Sequence, residues 1–349
     1  MRETHAPSIE ICERYRDVVS AHWPITVTPQ PDELLSSWLH RLAYANGLPA
    51  RSFANVLGLA RGMWSASLDL KKSISVTEQL QKGADVSPKQ LRLMTLPGNF
   101  PNQLVLPLRS LARRKRSTWL QFCPLCLADG AHPYFRREWR LSTRLTCEIH
   151  ATRLRDRCPS CNQPVIAFDQ RQLLPQHHCV RCGYDFRRAS SIYLCPAVRR
   201  LDQCIHEIVR SGLIGGCSKG ELLIRRLLNI PHLTGIHHQG LLTGLSASYR
   251  ARCYERLVEH PIEGKIVEPG PEIIGGVVRS AVAEHGELNV LIGMLADALR
   301  PKLGRPAMSS ARPTYDLSHF LEACHLIGHT SIRSQSRVKG ATAIIRCQC

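Results

Sequence analysis

Acidic residues are scarce in this sequence of 349 residues, in which 28 Asp and Glu stand against 46 Lys and Arg for a formal net charge of +18. The excess favours an extended polyanionic partner such as nucleic acid, and an anionic membrane is the weaker interpretation. Apolar runs of about 18 residues, which a transmembrane helix needs, are also missing, as is the apolar core of a signal peptide. We therefore expect a soluble cytoplasmic protein without a membrane partner.

Motifs of common enzyme classes are absent or incomplete. The stretch 216–220 matches G-x-S-x-G around Ser218, but a nucleophile elbow follows a strand, and a helical pattern precedes this one. Ser218 and Glu221 instead fit the capping box of a helix. A P-loop is excluded because Glu221 stands where Lys is required, and His206 is not followed by the second histidine of a zinc-protease helix. We predict no catalytic residues and a protein that is not an enzyme.

Cysteine, by contrast, is abundant, with 15 residues, and disulfides are rarely stable in the cytoplasm. Seven of them lie between positions 123 and 182, arranged with one histidine as four pairs with two residues between the members. Such a pair forms a tight knuckle that directs both side chains at one ion, and two knuckles close a tetrahedron. Thiolate and imidazole ligands without carboxylates favour zinc. The sequence predicts two structural Zn²⁺ ions and these ligands: Cys123, Cys126, Cys147, His150, Cys158, Cys161, Cys179 and Cys182.

The spacing alone leaves two ways of pairing the knuckles. In a sequential arrangement the first and second pairs share one ion, whereas in the cross-brace of a RING domain the first and third do. Seven residues separate His150 from Cys158, where a RING domain usually has two or three, so the cross-brace is disfavoured. His177 and His178 flank Cys179 and are alternative ligands, but we expect them at the surface.

A helix-turn-helix is predicted near the N-terminus. Apolar residues recur at helical spacing from Glu33, with Asp32 as the expected cap, and Ala43, Gly47 and Phe53 match the small residue, turn glycine and buried residue of this motif. Three polar residues then fall on the exposed side of the second helix, where a recognition helix meets DNA. The candidate contacts are Arg51, Ser52 and Asn55.

A second candidate nucleic-acid contact is a run of basic residues before the first knuckle. Residues 109–200 contain 18 Lys and Arg against 6 acidic residues, so much of the positive charge is local. Arginine suits phosphate oxygens and gives salt-sensitive binding with little sequence information. Aromatic residues of this region are expected in its core rather than stacked on bases. The basic run consists of Arg113, Arg114, Lys115 and Arg116, and further arginines are Arg136, Arg137, Arg140, Arg144, Arg153, Arg155 and Arg157.

These patterns predict a mainly α protein of three domains. Residues 1–107 form a helical domain with the helix-turn-helix, residues 108–190 a basic ribbon module with one CCCH and one CCCC zinc site, and residues 191–349 an all-helical domain. Helical periodicity in the last domain is found near 198–211, 219–229, 241–259, 273–300 and 316–327.

Several of these motifs together resemble the TniQ/TnsD family of transposon target-selection proteins. They are the stretch from Pro29 to Ala43, Cys123-Pro124-Leu125-Cys126, Trp139-Arg140, and the pairs that begin at Cys147 and Cys158. The resemblance covers about residues 24–190 and favours sequential pairing of the knuckles.

The resemblance implies a non-catalytic adaptor that links a DNA target site or a CRISPR effector complex to an AAA+ ATPase regulator. Its nucleic-acid partner would be DNA or a guide RNA complex, its zinc ions would be structural, and it would be associated with the bacterial nucleoid. A homodimer is a further expectation. Two alternatives remain from the residues themselves: a transcription regulator with a helix-turn-helix and a zinc ribbon, and a RING-type ubiquitin ligase.

Overall fold

The structure is a computed structural model, and it describes twelve stretches of the chain. Within them the protein is mainly helical, as predicted, and β structure is confined to isolated bridges. The chain divides into two compact units: unit 1 comprises Met1–Thr95 and Ala167–Gln176, and unit 2 comprises Leu96–Ile166 and His177–Cys349. The described stretches are 23–49, 52–53, 68–70, 74–98, 100–107, 120–166, 172–211, 214, 218–236, 240–259, 287–300 and 316–325.

Unit 1 contains helices α1 (Leu35–Ala45), α2 (Ile74–Ala84) and α3 (Pro88–Leu93). Helix α1 forms because apolar residues recur every three or four positions, and its Trp38, Leu39 and Leu42 are completely buried. Helix α3 begins at a capping box in which Ser87 and Gln90 satisfy each other's backbone N–H groups.

The C-terminal end of α1 has the geometry that the helix-turn-helix pattern requires. Gly47 has a φ of +70°, a conformation that residues with a Cβ rarely adopt. The N–H of Leu48 donates to the carbonyl of Ala43, and that of Gly47 donates to Tyr44, which is a Schellman motif. Beyond the turn, Phe53 is completely buried and stacks on Trp23 at 4.4 Å between ring centroids.

The N-terminal end of α1 differs from the prediction. The helix begins at Leu35 rather than Glu33, and Asp32, with a φ of +57°, does not cap it. The buried Asp69 does so instead, accepting hydrogen bonds from the backbone N–H and the hydroxyl of Ser36, each at 2.9 Å. A carboxylate at this end is favourable because the first N–H groups of a helix have no partner within it.

Unit 2 contains helices α4 (Pro124–Ala128), α5 (Pro196–Arg210), α6 (Ser218–Leu228), α7 (Ile230–Leu233), α8 (Ala247–Glu259) and α9 (Glu287–Ala298), and a further helix, α10, over 317–325. Helix α9 packs against α5 and α6, and α8 packs against α5 and α7. Ser218 is the first residue of α6 and not its cap, so the helix begins one residue earlier than a capping box at Ser218 predicts.

Two buried polar groups join the helices of unit 2 to its cysteine-rich segment, residues 120–166 and 177–190. On α5, Asp202 accepts the backbone N–H groups of Leu145 and Thr146, at 2.8 and 3.2 Å, and the Thr146 hydroxyl. On α8, the fully buried Arg250 donates to the side-chain oxygen of Gln121 at 2.6 Å. These bonds fix the orientation of the segment against both helices.

No helix among the described residues is long and apolar enough to span a membrane.

Candidate metal centres and nucleic-acid interface

The first predicted set of ligands lies together in one cluster. Cys123 is the N-cap of α4, and Cys126 lies in its first turn, so the start of the helix turns both sulfurs to the same side. The Sγ of Cys126 is 3.3 Å from the Sγ of Cys147 and 3.3 Å from the Nδ1 of His150. Ligands of a tetrahedral zinc with Zn–S bonds of about 2.3 Å lie about 3.5–3.8 Å apart. The Nδ1 of His150 lies in that range from the Sγ atoms of Cys123 and Cys147, at 3.6 and 3.7 Å, whereas the two contacts of Cys126 are slightly shorter.

The second predicted set forms a separate cluster. The Sγ atoms of Cys158 and Cys182 are 3.7 Å apart, and those of Cys161 and Cys179 are 3.6 Å apart. The knuckles are therefore grouped sequentially, and the cross-brace is not the arrangement that the structure has. Either cluster could hold a metal ion.

Three of the four knuckles share one backbone design. In each, the first cysteine receives a hydrogen bond at its carbonyl from the fourth residue on and donates its own N–H to the fifth. That fourth residue has a positive φ, of +53° at Ala151, +56° at Asn162 and +70° at Gly183. The left-handed residue closes the loop and leaves the two ligand side chains directed inward. The three first cysteines are Cys147, Cys158 and Cys179.

A second layer of polar contacts orients the ligands of the first cluster. The Nε2 of His150 lies 2.7 Å from a carboxylate oxygen of Asp129, so this nitrogen carries the proton and Nδ1 is left to face the sulfurs. The hydroxyl of Thr152 lies 3.2 Å from the Sγ of Cys123. Sequence reasoning missed both partners, although Asp129 is only three residues beyond Cys126.

Proton affinities in the first cluster show why a cation suits it. Hydrogen bonds from Cys126, and then from Cys147, lower the pKa of Cys123 to about 2. The contacts of Cys126 with Cys123, and then with Cys147, raise the pKa of Cys126. One thiolate is thus stabilised only because its neighbours keep their protons. A divalent cation would stabilise all three thiolates together.

In the second cluster burial dominates for Cys179, whose pKa rises to about 12. The pKa of the exposed Cys182 falls to about 7, chiefly because the backbone N–H of Tyr184 donates to it.

In two other groups, acidic and histidine side chains lie close enough to share a metal ion, but in each group an arginine is paired with a carboxylate. Arg144 lies 3.5 Å from Glu138 and 3.7 Å from Glu148, beside His206. His177 and His178 share the other group with Asp185, whose carboxylate is paired with Arg187 at 2.8 Å. His177 is buried and His178 half-buried, against the expectation of surface positions.

The predicted helix-turn-helix contacts and the basic run fall mainly outside the described residues. Of these seven residues, Ser52 alone is described, and it is exposed beside the buried Phe53. Arg140 and Arg144 are buried in unit 2, where Arg140 donates to the carbonyl of Leu106, so neither faces a ligand. The predicted contacts outside the described residues are Arg51, Asn55, Arg113, Arg114, Lys115 and Arg116.

Most aromatic side chains of the cysteine-rich segment that the structure describes lie in its core, as predicted, while Tyr134 and Tyr184 are half-buried. Phe122, Phe135 and Trp139 are completely buried. Phe122 stacks on Phe186 at 4.8 Å, and Phe135 meets Trp139 edge to face at 6.2 Å. These rings are therefore not available for stacking on bases.

Comparison with protein-family models gives a match for part of the chain. Residues 24–154 match the family model TniQ, which begins where the predicted resemblance begins and includes the whole first cluster but ends before the second. No curated protein matches the chain. A TniQ domain spans residues 24–154 of this protein, which confirms the resemblance over that range.

Proposed function

We propose that this protein is a non-catalytic target-selection adaptor of a bacterial DNA transposon, which binds nucleic acid and recruits an AAA+ ATPase regulator. The TniQ match carries the proposal, because it extends over α1, its turn and the complete first cluster. The family supports a role in transposition, while the ATPase, a CRISPR effector complex and a homodimer are partners that we infer from it.

Both clusters hold structural zinc in this proposal. The first offers three sulfurs and one imidazole nitrogen and the second four sulfurs, a donor set that suits zinc better than calcium or magnesium. Because four protein ligands leave no open position, the ions would organise the fold and would not activate water. Cys123, Cys126, Cys147 and His150 would bind one ion, and the four cysteines from Cys158 to Cys182 the other.

The two alternatives receive less support. A RING-type ligase is opposed by the sequential grouping of the knuckles. A transcription regulator shares the predicted helix-turn-helix, but no observation favours it over a transposition adaptor.

Affinity purification of the tagged full-length chain from its source cell, with and without nuclease, tests the proposal. We expect an AAA+ ATPase in the eluate and about two zinc ions per chain, one for each cluster. Cys126→Ser should lower the zinc content and the recovery of the ATPase. Cys195→Ser is the matched control, since Cys195 is exposed and lies outside both clusters. Absence of the ATPase from both eluates, with nucleic acid recovered from the untreated lysate, would favour a transcription regulator and contradict the adaptor.

A further inference from the structure

Residues 152–158 form an extended segment whose side chains alternate between two environments. Thr152 and Leu154 are completely buried, and Asp156 and Cys158 are 5% and 2% exposed. The residues between them are all arginines, Arg153, Arg155 and Arg157, and each is partly exposed. Successive side chains of an extended chain point to opposite faces, so the three arginines share the outer face.

The buried face fixes this segment in place. Thr152 contacts a sulfur of the first cluster, and Cys158 belongs to the second, so the segment runs from one cluster to the other. Between them, Asp156 accepts the first backbone N–H of α8 at 2.8 Å. The backbone of Arg155 exchanges two hydrogen bonds with Phe122, at 2.8 and 3.0 Å. The outer face is therefore held rigid from behind.

The arginines form a row of positive charge with regular spacing. Side chains on one face of an extended chain are about 6.6 Å apart. Burial lowers the pKa of Arg155, and the positive charge of Arg153 lowers it further, which shows that the two guanidinium groups are close. Neither of these two makes an ion pair with a carboxylate within the part of the chain that the structure describes.

Neutral acceptors hold part of the row in position. Arg155 donates from Nε and Nη2 to the carbonyl of Ser190, at 3.1 and 2.8 Å, and Arg157 donates from Nη1 to the carbonyl of Asn162 at 3.1 Å. The Nε of Arg153 is buried without a hydrogen-bond partner among the described residues. Backbone carbonyls orient a guanidinium without neutralising it, so Arg153 and Arg155 keep their charge for an anionic ligand.

We propose that Arg153, Arg155 and Arg157 bind phosphates along one strand of duplex DNA. A row of cations with fixed spacing suits a polymer with regularly spaced anions. Segment 152–158 has no aromatic residue. Beside it, Phe122 is buried and Tyr184 half-buried, and only Tyr193, which pairs with Thr152, is exposed among these three, whereas surfaces for single strands stack successive bases on several aromatic rings. The site therefore contacts the backbone of a duplex and reads no bases. It assigns a surface to the DNA binding of the proposed function, on which it rests.

The test compares two triple variants of the full chain that remove equal charge. Arg153→Gln, Arg155→Gln and Arg157→Gln remove the row, and the control replaces three exposed arginines on α6 and α8 by Gln. Binding to a fluorescent DNA duplex of arbitrary sequence is measured between 50 and 200 mM salt, with an RNA duplex in parallel. Zinc content and thermal unfolding are measured on every variant. The single variant Arg153→Gln is included because the side chain of Arg153 makes no hydrogen bond or ion pair among the described residues. The control residues are Arg225, Arg252 and Arg256.

Removal of the row should reduce the slope of log K against log salt by about 2 to 3 for DNA, and Arg153→Gln by about 1, with zinc content unchanged. The control triple should leave the slope nearly unchanged. An unchanged slope in the row variant, or an equal loss in the control, would overturn the proposal. Dependence on the row for RNA alone would overturn the assignment to DNA. If the wild-type chain binds no duplex but still recovers the ATPase after nuclease treatment, the row proposal fails while the adaptor function stands.

Discussion

Helix α1 in unit 1 and the cysteine-rich segment of unit 2 differ in what stabilises their fold. Eight of the 11 residues of α1 are buried, and packing together with the C-terminal turn stabilises it. In the segment, by contrast, the only α-helix among the described residues is α4, with 5 residues, and elsewhere single bridges pair the chain. Such short elements are marginal in water, so we expect the proposed metal ions to cross-link the segment in addition to its buried core. On this proposal the segment depends on its metal ligands as well as on its core, whereas α1 depends on its core alone.

Metal removal is the strongest way to sharpen this contrast. A chelator should unfold the cysteine-rich segment, because the binding of structural zinc contributes about 10–16 kcal/mol of folding free energy in small zinc domains. Amide hydrogen exchange followed by mass spectrometry should then show lost protection at Leu145 and Leu154 and retained slow exchange at Leu39 and Leu42. Equal loss of protection in both regions would remove the distinction.

A buried ion pair is the feature whose loss should affect α1 most. Arg41 donates to both carboxylate oxygens of Glu33, at 2.7 and 2.8 Å, and both side chains are almost inaccessible to solvent. Arg41→Met leaves Glu33 buried without its partner, so we expect a loss of about 3–5 kcal/mol of stability in urea unfolding. The control is the double variant Glu33→Gln with Arg41→Met, which should be less destabilised than Arg41→Met.

The pH dependence of unit 2 should come partly from His206. Burial and then the positive charges of Arg144 and Arg210 together lower its pKa from 6.5 to about 3, despite Glu138 at 3.4 Å. The folded state therefore keeps this histidine neutral at pH 5, while the unfolded state binds a proton. Its stabilising effect is complete above pH 6.5 and decreases as the pH falls toward 3.

Unfolding in guanidinium chloride at pH 7.5 and pH 5.5 measures this effect. Between these values the wild type should lose about 1 kcal/mol more than His206→Gln does, since one unit of pH below the unfolded pKa is worth about 1.4 kcal/mol. An identical pH dependence of the two proteins would show that His206 is protonated in the folded state.

Effects of similar or smaller size should come from the left-handed residues of the knuckles. A residue with a Cβ at such a position costs about 1–2 kcal/mol. Gly183→Ala should destabilise by about that amount because its φ is +70°, while no atom would obstruct the added Cβ. Ala151→Gly removes strain at a φ of +53° and should be neutral or stabilising by less than about 1 kcal/mol. Thermal unfolding of both variants checks the pair, and effects of the same sign would contradict the shared design.

Local spacing predicted the four knuckles and the turn after α1, because both are set by residues close together in sequence. Spacing alone left the grouping of the knuckles open and only disfavoured the cross-brace, and the family resemblance favoured the sequential grouping that the structure has. The role of the knuckle residues as ligands stays a prediction, as does the division into three domains. The cap of α1 was wrong because Asp69 lies 33 residues beyond Ser36, and no local pattern indicates such a partner. The burial of Arg140 and Arg144 was missed for the same reason: basic residues are usually exposed, and only distant carbonyls and carboxylates make their burial favourable. The arginine row needed the structure as well, since alternation of arginines predicts a shared face only where the chain is known to be extended.

Mapping of insertion sites tests the central claim most directly. The transposon genes are introduced into a host with the wild-type protein, with Cys126→Ser, with the control Cys195→Ser, or without the protein, and insertion junctions are sequenced. The account predicts that insertions concentrate at defined sites with the wild type and the control, and that this concentration is lost with Cys126→Ser and without the protein. The same distribution of insertions in all four strains would contradict it.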